Sequence, residues 1–233
     1  MLNLQTLNTF NILITVIPFL LCITIHELAH GYVALKLGDN TAKSLGRLTL
    51  NPIKHIDLFG LILIVLVGFG WAKPVPVDMR NFEHPKKYMA LTALAGPVSN
   101  LLLAALFMFL FGLFFTLMGF RGRIDETIIA ILMGLTHGVG GTIGAILLRT
   151  IFISLMLAVF NMLPIPPLDG SKVMFSLLPD NAYMSLMRIE RFGFILLILL
   201  LQVDAFRDIL FNAQLTIFSY FRHISQFAFD LVN

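Results

Sequence analysis

Charged residues are scarce in this chain: Lys, Arg, Asp and Glu together make up 12% of 233 residues, against about 25% in an ordinary soluble domain. With 58% hydrophobic residues and a mean hydropathy of +0.90, that shortage excludes a soluble globular protein and points to an integral membrane one. Cysteine is nearly missing as well. The lone Cys22 excludes an intrachain disulfide and any zinc site built from cysteines, and it reads as a small apolar residue within a helix. The net charge is only +3 despite a pI near 9.2, and the basic residues lie in loops beside apolar runs. Membrane topology accounts for them better than nucleic acid does. The first ten residues lack Lys and Arg, and no small-residue cleavage site follows the first apolar run, which argues against a removable signal peptide. No internal repeat, low-complexity linker or separate soluble domain is evident.

What fills the chain is a series of apolar runs, each near the roughly 20 residues needed to cross about 30 Å of hydrocarbon as a helix. They predict an all-α polytopic membrane protein with about four transmembrane helices, at 9–37, 88–120, 143–163 and 188–206, in a membrane-embedded core over 1–206. The first is loosened at Pro18 and stopped by Gly38-Asp39-Asn40, and the second is broken or kinked at Gly96-Pro97. Residues 127–141, apolar but interrupted by glycine, are expected to form a loose helix or re-entrant segment, because two crossings and a turn need more than the 37 residues from Thr127 to Leu163. Leu58 to Ala72 is too short and glycine-rich for a span, and with Pro74-Val75-Pro76-Val77 it reads as a re-entrant or edge-strand element docked on the bundle. Within 207–233, Asn212, Thr216, Ser219, His223, Gln226 and Asp230 recur every three or four residues, a polar stripe that predicts an interfacial amphipathic helix.

Against this apolar background the segment His26-Glu27-Leu28-Ala29-His30 stands out, at the far end of the uncharged run Phe10 to Ile25. On a helix, residues four apart share a face, so both imidazoles can grip one metal ion. Glu27 lies about 100° round from His26, close enough to take a proton from water at the metal without being a ligand. An ionisable residue deep in a span costs about 3 kcal/mol on insertion scales. Three polar groups there need a shared reason, and a metal supplies one. Two histidines leave a catalytic zinc short of its usual three protein ligands. A candidate third is Asp169 in Asn161-Met162-Leu163-Pro164-Ile165-Pro166-Pro167-Leu168-Asp169-Gly170. Its prolines unwind the end of the third span into a fixed loop, and alternating spans bring the ends of the first and third to one membrane face.

These motifs resemble those of the site-2 protease family, intramembrane zinc metalloproteases of the M50 class. HELAH at 26–30 matches the family's His-Glu-x-x-His, and NMLPIPPLDG at 161–170 matches its Asn-x-x-Pro-x-Pro-x-Leu-Asp-Gly. Segments 51–57, 70–77 and 95–100 are similar to its compact bacterial branch, so the likeness covers about residues 10–200. The resemblance implies one zinc ion held by His26, His30 and Asp169, with Glu27 as general base and Asn161 stabilising the oxyanion or holding the substrate backbone. Family members with a PDZ domain carry it between core spans, and no loop here has that length. After Asp57 this chain has Leu58 where close relatives often have proline.

The implied partner is a transmembrane protein or peptide, cleaved in or near its membrane segment within the lipid bilayer. Such a substrate must unwind, and segment 68–77 as an edge strand would hold it by strand addition. Gly70 and Pro74 in that segment and Asn100 near the kink are the candidate substrate-binding residues. Sixteen uncharged residues precede His26, about 24 Å of helix, which places the metal inside the edge of the far leaflet. Seven of the 16 basic residues lie in loop 38–87 on that face, so the positive-inside tendency makes it cytoplasmic and the N-terminus outside, in a bacterial plasma membrane. His55 reads as a loop residue, a hydrogen-bond partner of a metal ligand or one near the site entrance, His84 and His223 as surface, His137 as bundle-facing or as regulating access, and Arg149 as snorkelling to an interface. Two other classes compete: a metal-ion transporter or channel, which would string ligands through the depth of its spans, and an inactive protease-like adaptor, which would not need Glu27.

Overall fold

The computed structural model describes residues 9–60, 71–119 and 138–231. They form a helical bundle of α1 (Thr9–Lys36), the short α2 (Thr41–Ser44), α3 (Pro85–Leu117), α4 (Gly138–Asn161), α5 (Asp169–Ser176), α6 (Asp180–Leu201) and α7 (Asp204–Asp230), with 3₁₀ turns at Pro52–His55 and Met79–Asn81. Among the described residues, three stretches, Ile14–Lys36, Pro85–Leu117 and Gly138–Asn161, have the length and apolarity to cross a membrane. The all-α polytopic reading therefore holds.

Several boundaries differ from the sequence expectation. The second span starts at Pro85 and ends at Leu117 rather than at 88 and 120, since proline at the first helical turn gives up no hydrogen bond the helix would make. Neither Pro18 nor Pro97 ends its helix. The third span begins at Gly138, so residues 138–141 of the expected loose segment are its first turn; residues 127–137, His137 included, lie outside the described residues. In place of one element at 188–206, α6 stops at Leu201 and α7 starts at Asp204. The expected edge strand is reduced, among the described residues, to a single antiparallel bridge between Ile56 and Ala72, and residues 58–60 are helical. Gly70 and the rest of that segment, 61–70, lie outside the described residues.

The core lies between α3, α4 and α7, where Ala104, Met108, Phe111 and Phe115 meet Leu148, Ile151, Leu155 and Phe229. In lipid, where hydrocarbon surrounds the helices anyway, such association depends on close packing and interhelical hydrogen bonds. Both occur along α7. A Cβ on Gly112 would fall 2.1 Å from the Ser225 carbonyl oxygen, so the two backbones touch only because that position has no side chain. Gln214 donates to the Phe152 carbonyl at 2.8 Å, and the rings of Phe152 and Phe218 stack at 4.7 Å. The polar stripe of α7 faces outward at Asn212, Thr216, Ser219, His223 and Asp230. Its opposite face is docked along the bundle through Gln214, Phe218 and Ser225.

After α1 the chain turns sharply. Gly38 takes φ +107°, and the Asp39 N–H returns to the Ala34 carbonyl at 2.9 Å, the left-handed helix stop that glycine allows. Asp39, fully buried, then accepts hydrogen bonds from the Thr41 backbone and hydroxyl, the Asp78 N–H and the Asn81 amide. Burial alone would raise its pKa, but these donors together hold the carboxyl below its usual value. The knot ties segment 71–81 against the end of α1. His55 strengthens the same layer: it is fully buried, with Nε2 2.9 Å from the Thr49 carbonyl. Arg149 is exposed and donates to the Thr15 hydroxyl on α1.

Candidate metal centre

Helix directions bring the two sequence motifs together. Arg149 meets Thr15, and Cys22 Sγ lies 3.1 Å from Ser154 Oγ, so α1 and α4 run parallel and end on the same side. Helix α3 runs the other way, with Asn100 beside His26 and Thr92 beside His30. Beyond α4 the proline-rich turn carries the chain to Asp169, the first residue of α5. Gly170 makes that turn possible, because a Cβ there would lie 2.2 Å from the Met162 carbonyl oxygen.

The result is a triangle of three buried donors. His26 Nε2 and His30 Nε2 are 3.0 Å apart, and each is 3.2 Å from Asp169 Oδ2. A tetrahedral ion with bonds of about 2.0–2.1 Å has ligand atoms about 3.3 Å apart, so the triangle has the dimensions of one face of a zinc site. The rings stand edge to face at 86° with centroids 4.6 Å apart. Asp169 supplies the carboxylate oxygen of the set, and with two imidazole nitrogens it makes a donor combination suited to zinc. His30 Nδ1 lies 2.7 Å from the Thr92 carbonyl. A carbonyl only accepts, so Nδ1 carries the proton and the Nε2 lone pair faces the triangle. Among the described residues, His26, His30 and Asp169 are the one such grouping of three metal-binding side chains.

One residue of α3 defines the space around this triangle by having no side chain. A Cβ on Gly96 would lie 2.4 Å from His30 Nε2, 2.5 Å from His26 Cε1 and 2.6 Å from His26 Nε2. Gly96, read from sequence as part of a kink, leaves the clearance for both imidazoles.

Glu27 is half-buried on α1, and its Oε2 accepts a 2.7 Å hydrogen bond from the Val75 N–H. Pro74 and Pro76 have no N–H, so Val75 is the single backbone donor of that tripeptide, and it is aimed at the carboxylate. Val75 itself is buried against Gly31, one turn further along α1. This contact was legible in principle from the Pro-Val-Pro alternation. The Thr92 carbonyl was not, because a backbone acceptor leaves no mark in the residue type.

The other candidates are placed differently. Asn161, at the last turn of α4, donates to the Leu157 carbonyl at 3.0 Å and makes no described contact with the triangle. Pro74 is exposed beside Val75. Asn100 is fully buried, with its amide nitrogen 3.1 Å from His26 Nδ1, so its side chain faces that imidazole. His84 caps the start of α3, exposed, with its ring 5.4 Å from that of Tyr88, and His223 is exposed on α7.

Comparison with known proteins agrees with this geometry. The chain is 44% identical over 185 residues to the "Putative zinc metalloprotease YwhC" of Bacillus subtilis, covering 79% of this chain and 78% of that protein. It is 27% identical over 213 residues to the "Putative zinc metalloprotease Rip2" of Mycolicibacterium smegmatis, covering 87% and 72% of the two chains. The Rip2 of Mycobacterium tuberculosis is also 27% identical, over 186 residues, covering 78% of this chain and 64% of that protein. No solved structure matches. The model of Peptidase family M50 matches residues 14–201, a range that holds both motifs and every corner of the donor triangle. The chain belongs to peptidase family M50.

Proposed function

We propose that this metalloprotease is an intramembrane enzyme of the site-2 type, hydrolysing peptide bonds in or near the transmembrane segments of other membrane proteins. The observation that carries the reading is the buried triangle of His26, His30 and Asp169 with Glu27 next to it on the same helix. One zinc ion held there would polarise a carbonyl and acidify water. The Val75 N–H fixes the Glu27 carboxylate, which accepts a proton from water and passes it to the leaving amine. Asn161 is the proposed donor to the developing oxyanion, a role for which its amide leaves the Leu157 carbonyl. The chain around Val75 is the proposed dock for the unwound substrate backbone. It touches the base directly, and the bridge from Ala72 to Ile56 ties it to the bundle. Loop 38–87, with its seven basic residues, faces the cytoplasm in this reading; a tag in that loop reacting only from outside the cell would reverse the orientation.

A metal transporter would distribute donors along the spans, whereas the described donors converge at one point. The deciding experiment uses purified protein, a model membrane helix as substrate and the Glu27→Gln variant. Zinc content should be equal in the two proteins, while cleavage by the variant falls by about 10²–10⁴-fold. Equal cleavage by both would remove Glu27 from the mechanism, and equal zinc with no cleavage by either would remove the protease assignment.

A further inference from the structure

Helix α3 presents three features to the metal ligands at four-residue intervals on one face. Thr92 offers its carbonyl to His30, Gly96 leaves room for both rings, and Asn100 lies against His26. The role of the third is open. A neutral imidazole has one N–H and one lone pair, so whichever group faces Nδ1 decides what Nε2 presents to the metal. With the amide nitrogen of Asn100 toward His26 Nδ1, as at 3.1 Å, Nδ1 must accept. The ring proton is then on Nε2, pointing into the triangle where a lone pair is needed. Asn100 Oδ1 is buried without a hydrogen-bond partner, so the contact to His26 is what decides the orientation of the amide. Turning the amide by 180° keeps its shape and exchanges oxygen for nitrogen. The oxygen then faces a donor, and His26 acquires the same arrangement as His30, with Nδ1–H on a carbonyl and Nε2 free.

Resting on the zinc reading above, we propose that Asn100 is a positioning residue of the metal site: its side-chain carbonyl accepts the Nδ1 proton of His26 and fixes the tautomer whose Nε2 binds zinc. No charge changes in this step. The ring stays neutral, and its single proton resides on Nδ1 instead of Nε2. Asn100 is thus the side-chain counterpart of the Thr92 carbonyl and stands behind the site instead of on the substrate path.

The test is zinc affinity of the full chain in detergent, measured by competition with a chromophoric chelator at neutral pH, for the unaltered protein, Asn100→Leu and Asn100→Asp. Leucine fills the same volume without an acceptor, and its affinity should fall by about 10–100-fold. Aspartate accepts the same proton and should stay within about threefold of the unaltered chain. Nitrogen-15 spectra of labelled histidine in the zinc-loaded protein should show His26 protonated on Nδ1. Unchanged affinity in Asn100→Leu, affinity in Asn100→Asp as low as in Asn100→Leu, or a proton on Nε2 would each overturn the assignment. If Asn100→Leu does not fold, the aspartate variant and the spectra decide. An unaltered chain that takes up no zinc would instead overturn the zinc reading itself, and this assignment with it.

Discussion

Replacing Gly96 with alanine adds one methyl group at a point where the surrounding atoms belong to the proposed metal ligands. The new Cβ would meet His30 Nε2 at 2.4 Å, His26 Cε1 at 2.5 Å and His26 Nε2 at 2.6 Å. Ordinary contact between such atoms begins near 3.4–3.5 Å, so about 1 Å must be recovered on two rings at once. Metal sites tolerate ligand displacements of about 0.2 Å. The rings have little room to retreat, since His30 is tied to Thr92 and His26 to Asn100 on the same helix that carries the methyl. The helix can yield instead, and overpacking of this kind costs about 1–3 kcal/mol, small enough for the bundle to persist. We therefore expect Gly96→Ala to fold, with a lowered melting temperature and zinc affinity reduced by at least about 100-fold. The control is Gly140→Ala in α4, where an added Cβ has no neighbour within 4 Å. That variant should keep its zinc and gain helix stability of up to about 1 kcal/mol. Metal analysis, chelator competition and thermal unfolding on the two variants read out the contrast. Unaltered zinc affinity in Gly96→Ala would show that the ligands do not close on this face of α3, and the triangle as described would be wrong.

Gly112→Ala should loosen α7, because the added carbon would lie 2.1 Å from the Ser225 carbonyl oxygen, which belongs to backbone and cannot rotate away. Expected are a loss of about 1–3 kcal/mol and faster proteolysis within 204–230, and a protection pattern equal to that of the unaltered chain would count against the docking of α7. Asp39 gives a pH signature. Its folded pKa lies below the ordinary value, so its contribution is complete above about pH 4 and is lost as pH falls through the lower folded value. Unfolding stability should therefore decline below about pH 4 in the unaltered protein, and the decline should be shallower in Asp39→Asn; parallel pH profiles for the two would remove Asp39 from the knot.

The chemistry was more legible in the sequence than the architecture around it. His26, His30 and Asp169 could be proposed as a group because helical spacing and span alternation are long-range rules that a string of residues obeys. The triangle with edges of 3.0 and 3.2 Å is where those rules lead. Span boundaries shifted where local chemistry competes with apolar length: Pro85 opens a helix at no cost, and the run 188–206 is divided between α6 and α7 at Gln202-Val203. The course of α7 was not readable at all. Its stripe of Asn212, Thr216 and Ser219 specifies one face, whereas its position depends on the other. There Gln214 finds the Phe152 carbonyl and Ser225 meets a glycine on α3. Gly96 shows the same limit most clearly. A glycine before a proline in a long apolar helix reads as a kink, and nothing in the string says that both imidazoles lie within 3 Å of its absent side chain. What a missing side chain makes room for is set by the neighbouring helix. For that reason α3, which contributes no ligand, governs whether α1 and α5 can hold one ion.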